Sequence, residues 1–379
     1  MKRLFILLFF ILALYTVKPY WEKPVSQYID LSFLDPVDEK VDTFIHSDPF
    51  EKTVRFVSDK IDQAMSFLLN DNKSSQPKES NQDHEVEKPN LRTSDEYTIT
   101  IHNISLGLEK SEVTSILGEA KSVSPNEYGT NWYTYHQDYH NFVMISFDED
   151  NLVNAMYTND DLITSHTGLK LRSDQKEIRT IFGEPLTEIN RGLMTYVLQE
   201  TDEFDVFLQD QYYLYVFYDI HQQHQVTAVQ MIEKSLEENK KEVYATQNDA
   251  LRSGFEAQLF DLTNASRVRQ RLRPLIWDDR AQQSSRGHSE DMAKHRYFNH
   301  ENLQGLSPFD RMKAVHITFK AAGENLAYGQ ASSIFAHEGL MNSKGHRENI
   351  LQEIYSHLGV GVAFNEQDQP YYTENFFTP

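Results

Sequence analysis

Not one cysteine occurs in the 379 residues of this chain. Disulfides, thiolate zinc sites and thiol nucleophiles are therefore excluded, and stability must come from packing. Positive charge is also scarce: 36 Lys and Arg against 57 Asp and Glu leave a formal net charge of −21. That balance argues against nucleic acid as a partner, because phosphate contacts need clustered cations. Solubility, cations or basic partners suit it better. The chain has no Gly-x-Ser-x-Gly turn and no phosphate-cradling Gly-Lys-Ser loop. Long apolar runs are missing apart from LFILLFFILALYTV at 4–17. Aromatic residues, by contrast, are plentiful: 23 Phe, 20 Tyr and 3 Trp supply real cores, for two or three domains at this length.

The run at 4–17 follows Met1-Lys2-Arg3, which places the N-terminus in the cytoplasm and the remainder outside. Its length fits a signal-peptide core, yet no small-x-small cleavage site follows. Tyr20 and Trp21 suit an outer membrane interface, so residues 1–21 are expected to be an uncleaved single-pass signal anchor. A cleaved signal peptide is the alternative. Residues 22–70 read as a juxtamembrane helical stalk, with Phe50, Val54, Val57, Ile61, Met65 and Leu68 recurring at steps of three and four. Residues 71–96 hold only two aliphatic side chains, Val86 and Leu91, and are expected to be a disordered linker.

Between 97 and 235 the chain matches itself. ISLGLEKSEVTSILGEA at 104–120 aligns with LKLRSDQKEIRTIFGEP at 169–185, each reading as an extended start, a helix and a terminating Gly. Aromatic runs follow, with Tyr213, Tyr215 and Phe217 alternating as in a strand. Hairpin signals stand at Asp148–Asn151 and His221–Gln225. This is a two-repeat α+β domain, and its Tyr and His read as strand-face packing. Residues 236–246 form a charged connector, and 247–379 the last domain.

Seven of the 15 histidines fall between His288 and His357, among the Gly, Asn, Glu and Ser of turns and loops. Spaced His and Glu on loops suggest a polar cleft. A helix starting at Asp278 or Asp279 puts Ala281, Ser285, His288, Met292 and His295 on one face, so His288 and His295 read as structural. His300 lies beyond that periodicity. HEGLM at 337–341 lacks the second His of a His-Glu-x-x-His zinc helix, since position 341 is Met. Ser307-Pro308-Phe309-Asp310 is a capping box. Ser343 and His346 could pair, although Ser343 reads more simply as the cap of a turn.

These fragments occur in a telling order: Asn264 and Arg267, Pro274-Leu275, Trp277-Asp278, His288-Ser289, Phe298 and His300, Arg311, Gly323-Glu324-Asn325, Gly345-His346-Arg347, Gly359-Val360-Gly361. The segment 247–379 resembles the CAP superfamily (cysteine-rich secretory proteins, antigen 5, pathogenesis-related proteins) in its cysteine-free bacterial form. Residues 97–235 resemble the CAP-associated N-terminal domain of Firmicute membrane-anchored proteins. The resemblance implies an α+β class, a C-terminal α–β–α sandwich behind the two-repeat domain and a membrane helix. It implies cleft residues at His300, Glu324 and His346. Glu338 is the carboxylate available for the family's second Glu. His300 and His346 could hold a divalent cation such as zinc while a carboxylate orients water. The expected function is binding of a cell-envelope ligand (lipid, glycan or peptide) in the cleft, outside the membrane. The alternatives are a metal-assisted hydrolase or peptidase and a structural or protein-interaction module.

Overall fold

The computed structural model describes residues 86–94, 98–192, 194–198 and 201–379. The expected anchor at 1–21, the stalk at 22–70 and most of the linker lie outside these. The described end of that linker, 86–94, has no regular secondary structure but is tied to the neighbouring domain. Arg92 N donates to Asn103 Oδ1 (2.8 Å), Asn103 Nδ2 to Asn90 O, and Asn141 Nδ2 to Glu87 O. Hydrogen bonds between its backbone and the side chains of Asn103 and Asn141 therefore hold a segment whose side chains bury little. Among the described residues, no helix is long and apolar enough to cross a membrane.

The first domain opens with β1 (Ile99–Ile101), α1 (Lys110–Leu117), β2 (Ser122–Pro125), β3 (Asn131–Gln137), β4 (His140–Phe147), β5 (Val153–Thr158) and β6 (Ile163–Ser165). It continues with α2 (Gln175–Phe182), β7 (Glu188–Arg191), β8 (Met194–Val197), β9 (Phe204–Gln209), β10 (Tyr212–Asp219) and β11 (Gln225–Glu233). The segments aligned in the sequence become α1 and α2, both eight residues long. Asp174 caps α2 in a full capping box, and Gly118 and Gly183 end the two helices at φ 75° and 84°. Seven strands form one antiparallel sheet in the order β2-β3-β4-β5-β11-β10-β9. The hairpins at 148–151 and 221–225 fall where turn chemistry placed them. Both faces of this sheet are buried. Leu214, Val216 and Tyr218 pack with Val113 of α1 and Ile178 of α2. Tyr213, Tyr215 and Phe217 point the other way and meet Leu262, Ala265 and Ile334 of the second domain.

The connector begins as α3 (Lys234–Glu238). The second domain then comprises α4 (Asp249–Arg269), β12 (Ile276–Trp277), α5 (Asp279–His295), α6 (Pro308–Ala314) and β13 (Ala321–Tyr328). It ends with α7 (Ser333–Asn342), α8 (Lys344–Ile350), β14 (His357–Phe364) and β15 (Pro370–Thr378). The sheet order is β12-β14-β15-β13, antiparallel except for the β12–β14 pair. Helix α4 serves two cores. Phe255 and Leu259 join the inner core with Val360, Val362 and Phe376, whereas Leu262 and Ala265 face the first domain. Helix α5 starts at Asp278, whose side chain accepts from Arg280 N and Ala281 N. It crosses β14 at backbone contact: a Cβ on Gly361 would stand 1.9 Å from Arg286 N, and one on Gly359 2.1 Å from Gln282 N. Only glycine lets helix and strand approach so closely.

Candidate functional site

Three elements bring the candidate side chains together. His300 follows α5 in an irregular loop, Glu324 lies on β13, and His346 is in the short helix α8. The expectation of three loop residues is therefore corrected for two of them. Eight residues of β13 pair with β15, and this strand, AAGENLAY, is buried on both faces and so shows no alternation in sequence.

Glu324 is the centre. Its side chain is 1 % exposed, and His300 Nδ1 donates to Oε1 at 2.9 Å. Arg311 Nη2 donates to Oε2 at 2.6 Å. Burial pushes the Glu324 carboxyl up, but the His300 hydrogen bond and the Arg311 charge outweigh it and hold the group below its ordinary value. It is a carboxylate with both oxygens engaged. Arg311 also donates from Nη1 to His300 O (2.7 Å) and Leu306 O (2.9 Å), fastening the loop on which His300 sits. His346 is close enough to His300 for the two rings to interact electrostatically. Burial first, and His300 second, push its imidazole down to about 4, so it is neutral at physiological pH.

A polar layer supports this group. Asn325 Nδ2 donates to His346 O (3.1 Å) and to Glu374 Oε2 (3.0 Å), and its Oδ1 accepts from Asn349 Nδ2 (3.0 Å). Thr263 donates to Glu374 Oε1 at 2.7 Å. Glu374 is fully buried on β15, and burial pushes it up to about 7 against those two hydrogen bonds.

Glu338 is not part of this cluster. It is buried on α7, with Oε1 accepting from Tyr157 (2.6 Å) and Oε2 from Thr227 (3.3 Å) of the first domain. A helix turns its side chains through about 100° per residue, and residue 338 falls on the face covered by the other domain. Its neighbour His337 is fully buried against Ser266 (2.7 Å), its imidazole pushed down to about 3 by burial. His288 is buried as its spacing foretold, with Nε2 on Asn299 O at 2.9 Å. His295 is exposed and paired with Asp291.

Arg311, Asn325 and Glu374 were not read as site residues. For Arg311 the signal was a cation inside the helix that the Ser307 cap opens. Glu374 stands out as a carboxylate inside the aromatic run Tyr371–Phe377. Among the described residues, no three His, Asp or Glu side chains are placed to hold a metal ion together. In the expected arrangement, with His300 and His346 on the cation and a carboxylate orienting water, that carboxylate is already engaged by Arg311.

Residues 106–244 match the family described as CAP-associated N-terminal, and residues 260–376 the cysteine-rich secretory protein family, CAP. The chain is 30 % identical over 298 residues to an uncharacterized membrane protein of Bacillus subtilis, YlbC, covering 72 % of this chain and 82 % of that one. It is 44 % identical over 111 residues to a second Bacillus subtilis protein, YkwD, covering 29 % of this chain and 43 % of that one. A solved structure of an extracellular SCP-domain protein from Bacillus anthracis superposes with TM-score 0.65 at 24 % identity, covering 78 % of this chain and all of that one. The chain belongs to the CAP family, in its cysteine-free bacterial form with a CAP-associated N-terminal domain.

Proposed function

We propose that this is a membrane-anchored, extracytoplasmic protein whose CAP cleft binds a cell-envelope ligand: a lipid, glycan or peptide. The observation that carries this reading is the saturated Glu324. A carboxylate held low by His300 and Arg311, with both oxygens engaged, is a weak base and a poor activator of water. Beside it, neutral His346 and the fastened His300 form a preorganised hydrogen-bonding surface. The location outside the cell is supported by the membrane protein and the extracellular protein that the chain resembles.

The rival is a metal-assisted hydrolase or peptidase in which His300 and His346 hold a divalent cation such as zinc. The neutral imidazole of His346 favours it; the Arg311–Glu324 pair opposes it, because a cation would have to compete with Arg311 for the carboxylate. A purely structural or interaction module is the third class.

The test uses the purified full-length chain. Sedimentation with purified cell walls, in detergent that masks the anchor expected at 1–21, should retain the wild type, and His300→Ala with His346→Ala should release it. Equal retention of wild type and variant would remove the cleft from the binding reading. Calorimetric titration with zinc decides the rival: a heat that disappears in His346→Ala would favour the hydrolase.

A further inference from the structure

The helix that carries His346 does not hold itself in place. Helix α8 is seven residues long, contains Gly345, and begins at Ser343, whose side chain makes no capping hydrogen bond to it. So short a helix does not persist alone in water, and glycine weakens it further. The position of His346 is therefore set by what grips α8 from outside.

That grip comes from both domains. The second half of α8 is held by its own domain. Asn325 Nδ2 donates to His346 O (3.1 Å), Asn349 Nδ2 to Asn325 Oδ1 (3.0 Å), and Arg267 Nη1 to Ile350 O (2.7 Å). The first half, with the corner where α7 ends, meets the β10–β11 hairpin of the first domain. Arg347 Nη1 pairs with Asp219 Oδ2 at 2.8 Å. His221 Nε2 donates to Asn342 O at 2.8 Å, and Ile220 N to Asn342 Oδ1 at 3.2 Å. Asn342 Nδ2 donates in turn to Tyr218 O at 2.9 Å. The carbonyls at a helix end lack partners within the helix, and the hairpin supplies one for Asn342, the last residue of α7. Asp219 is 4 % exposed and Asn342 6 %, so these contacts are shielded from water and costly to break.

The hairpin is itself fixed. Asp219 Oδ1 accepts from His221 N (2.9 Å), and Asp219 O from Gln222 N (3.1 Å) and His224 N (3.0 Å). Gln175 N, at the start of α2, donates to His224 O (3.1 Å). One carboxylate therefore shapes the turn with one oxygen and holds α8 with the other.

We infer that the CAP-associated domain is a positioning part of the cleft: its hairpin, through Asp219 on Arg347 and His221 on Asn342, holds α8 and so places His346. Asp219 and His221 are positioning residues, acting through α8. The inference rests on the cleft reading for what His346 does once placed. The coupling is reciprocal, so a ligand that needs His346 in place also tightens the hairpin on α8.

The experiment uses the full-length chain in detergent and two readouts that need no ligand. One is amide exchange across 343–348. The other is the NMR signal of the His346 ring in chain labelled at histidine Cε1, identified by its loss in His346→Gln. Asp219→Ala should raise exchange in 343–348 by about tenfold, leave α4 unchanged and move the His346 signal. Arg347→Ala should do the same, and the double variant should go no further than the larger single change, because both break one pair. His221→Ala removes a single hydrogen bond at an exposed position and should give a smaller change of the same kind, which keeps the test open if Asp219→Ala does not fold. Tyr157→Phe weakens the same boundary away from α8 and should leave both readouts unchanged. An unmoved His346 signal with unchanged exchange in folded Asp219→Ala or His221→Ala would overturn the proposal, as would equal changes in Tyr157→Phe. Retention on cell walls judges the cleft reading separately, since the exchange and the ring signal report positioning whether or not a ligand binds.

Discussion

Glu374 sits at the centre of β15 with no exposure, and its carboxyl is pushed up to about 7. An acid raised in the folded state stabilises below its unfolded value, near 4.5, and loses that contribution as pH rises through 7. Glu374→Gln keeps the shape and removes the charge. It should raise stability at pH 8 by about 1–3 kcal/mol and by much less at pH 5, read as Tm across pH. His346 works with the opposite sign. Its value of about 4 means that a neutral ring persists well below the ordinary histidine range, so its contribution is present above pH 6.5 and is lost as pH falls towards 4. Binding that needs neutral His346 should therefore be flat from pH 8 to 5 and fall below that, measured by sedimentation or calorimetry. A fall between pH 7 and 5, expected of an unperturbed imidazole, would show that the ring is more open to water than this. The identities of His300, Glu324 and His346 were legible in sequence; these pKa directions were not, because burial is set by residues far away along the chain.

At the scale of elements, α5 against β14 decides the second domain. Gly361→Ala would set a Cβ 1.9 Å from Arg286 N, a backbone atom that cannot yield without moving the helix. It should cost about 3 kcal/mol or more, visible as a large drop in the denaturation midpoint. Gly287→Ala on the same helix meets nothing and should gain about 0.5–1 kcal/mol. The contrast shows that neighbours decide a glycine's role more than its helix does. The loop carrying His300 hangs on Arg311. Arg311→Lys keeps the charge but loses the fork that reaches His300 O, Leu306 O and Glu324 together. Amide exchange in residues 298–306 should rise while that of α4 stays unchanged. The caps at Asp278 and Ser307 were legible because capping is local. The strand β13 was not, because its partner β15 lies some fifty residues away.

At the scale of the whole molecule, two family domains share one core. Trp132, Tyr157, Tyr213 and Phe217 of the first pack with Leu262, Ala265 and Ile334 of the second. Phe335 meets Phe204, Tyr215 and Phe217 edge-on at 5.3–5.8 Å. Polar contacts lock the same boundary: Tyr157 to Glu338, Arg347 to Asp219 at 2.8 Å, and Asn342 Nδ2 to Tyr218 O at 2.9 Å. Calorimetry of the full chain should accordingly show a single transition for the two domains, and separate transitions would refute their coupling. Tyr157→Phe leaves the buried Glu338 with Thr227 alone and should cost about 1–3 kcal/mol. A chain cut to 247–379 exposes the apolar face of α4 and α7 and should aggregate or lose Tm.

The sequence by itself determined the α+β class, the order of the two family domains, the hairpins and the helix caps, and its family motifs named His300, Glu324 and His346 as candidates. Those features rest on local rules of period, turn and cap, or on motifs whose order is written along the chain. Tertiary structure alone decided that Arg311 joins His300 on Glu324, that Glu338 sits at the domain boundary, and that both faces of the first sheet are buried. Each depends on which distant surface covers a side chain, and a linear pattern records the side chain but not its cover.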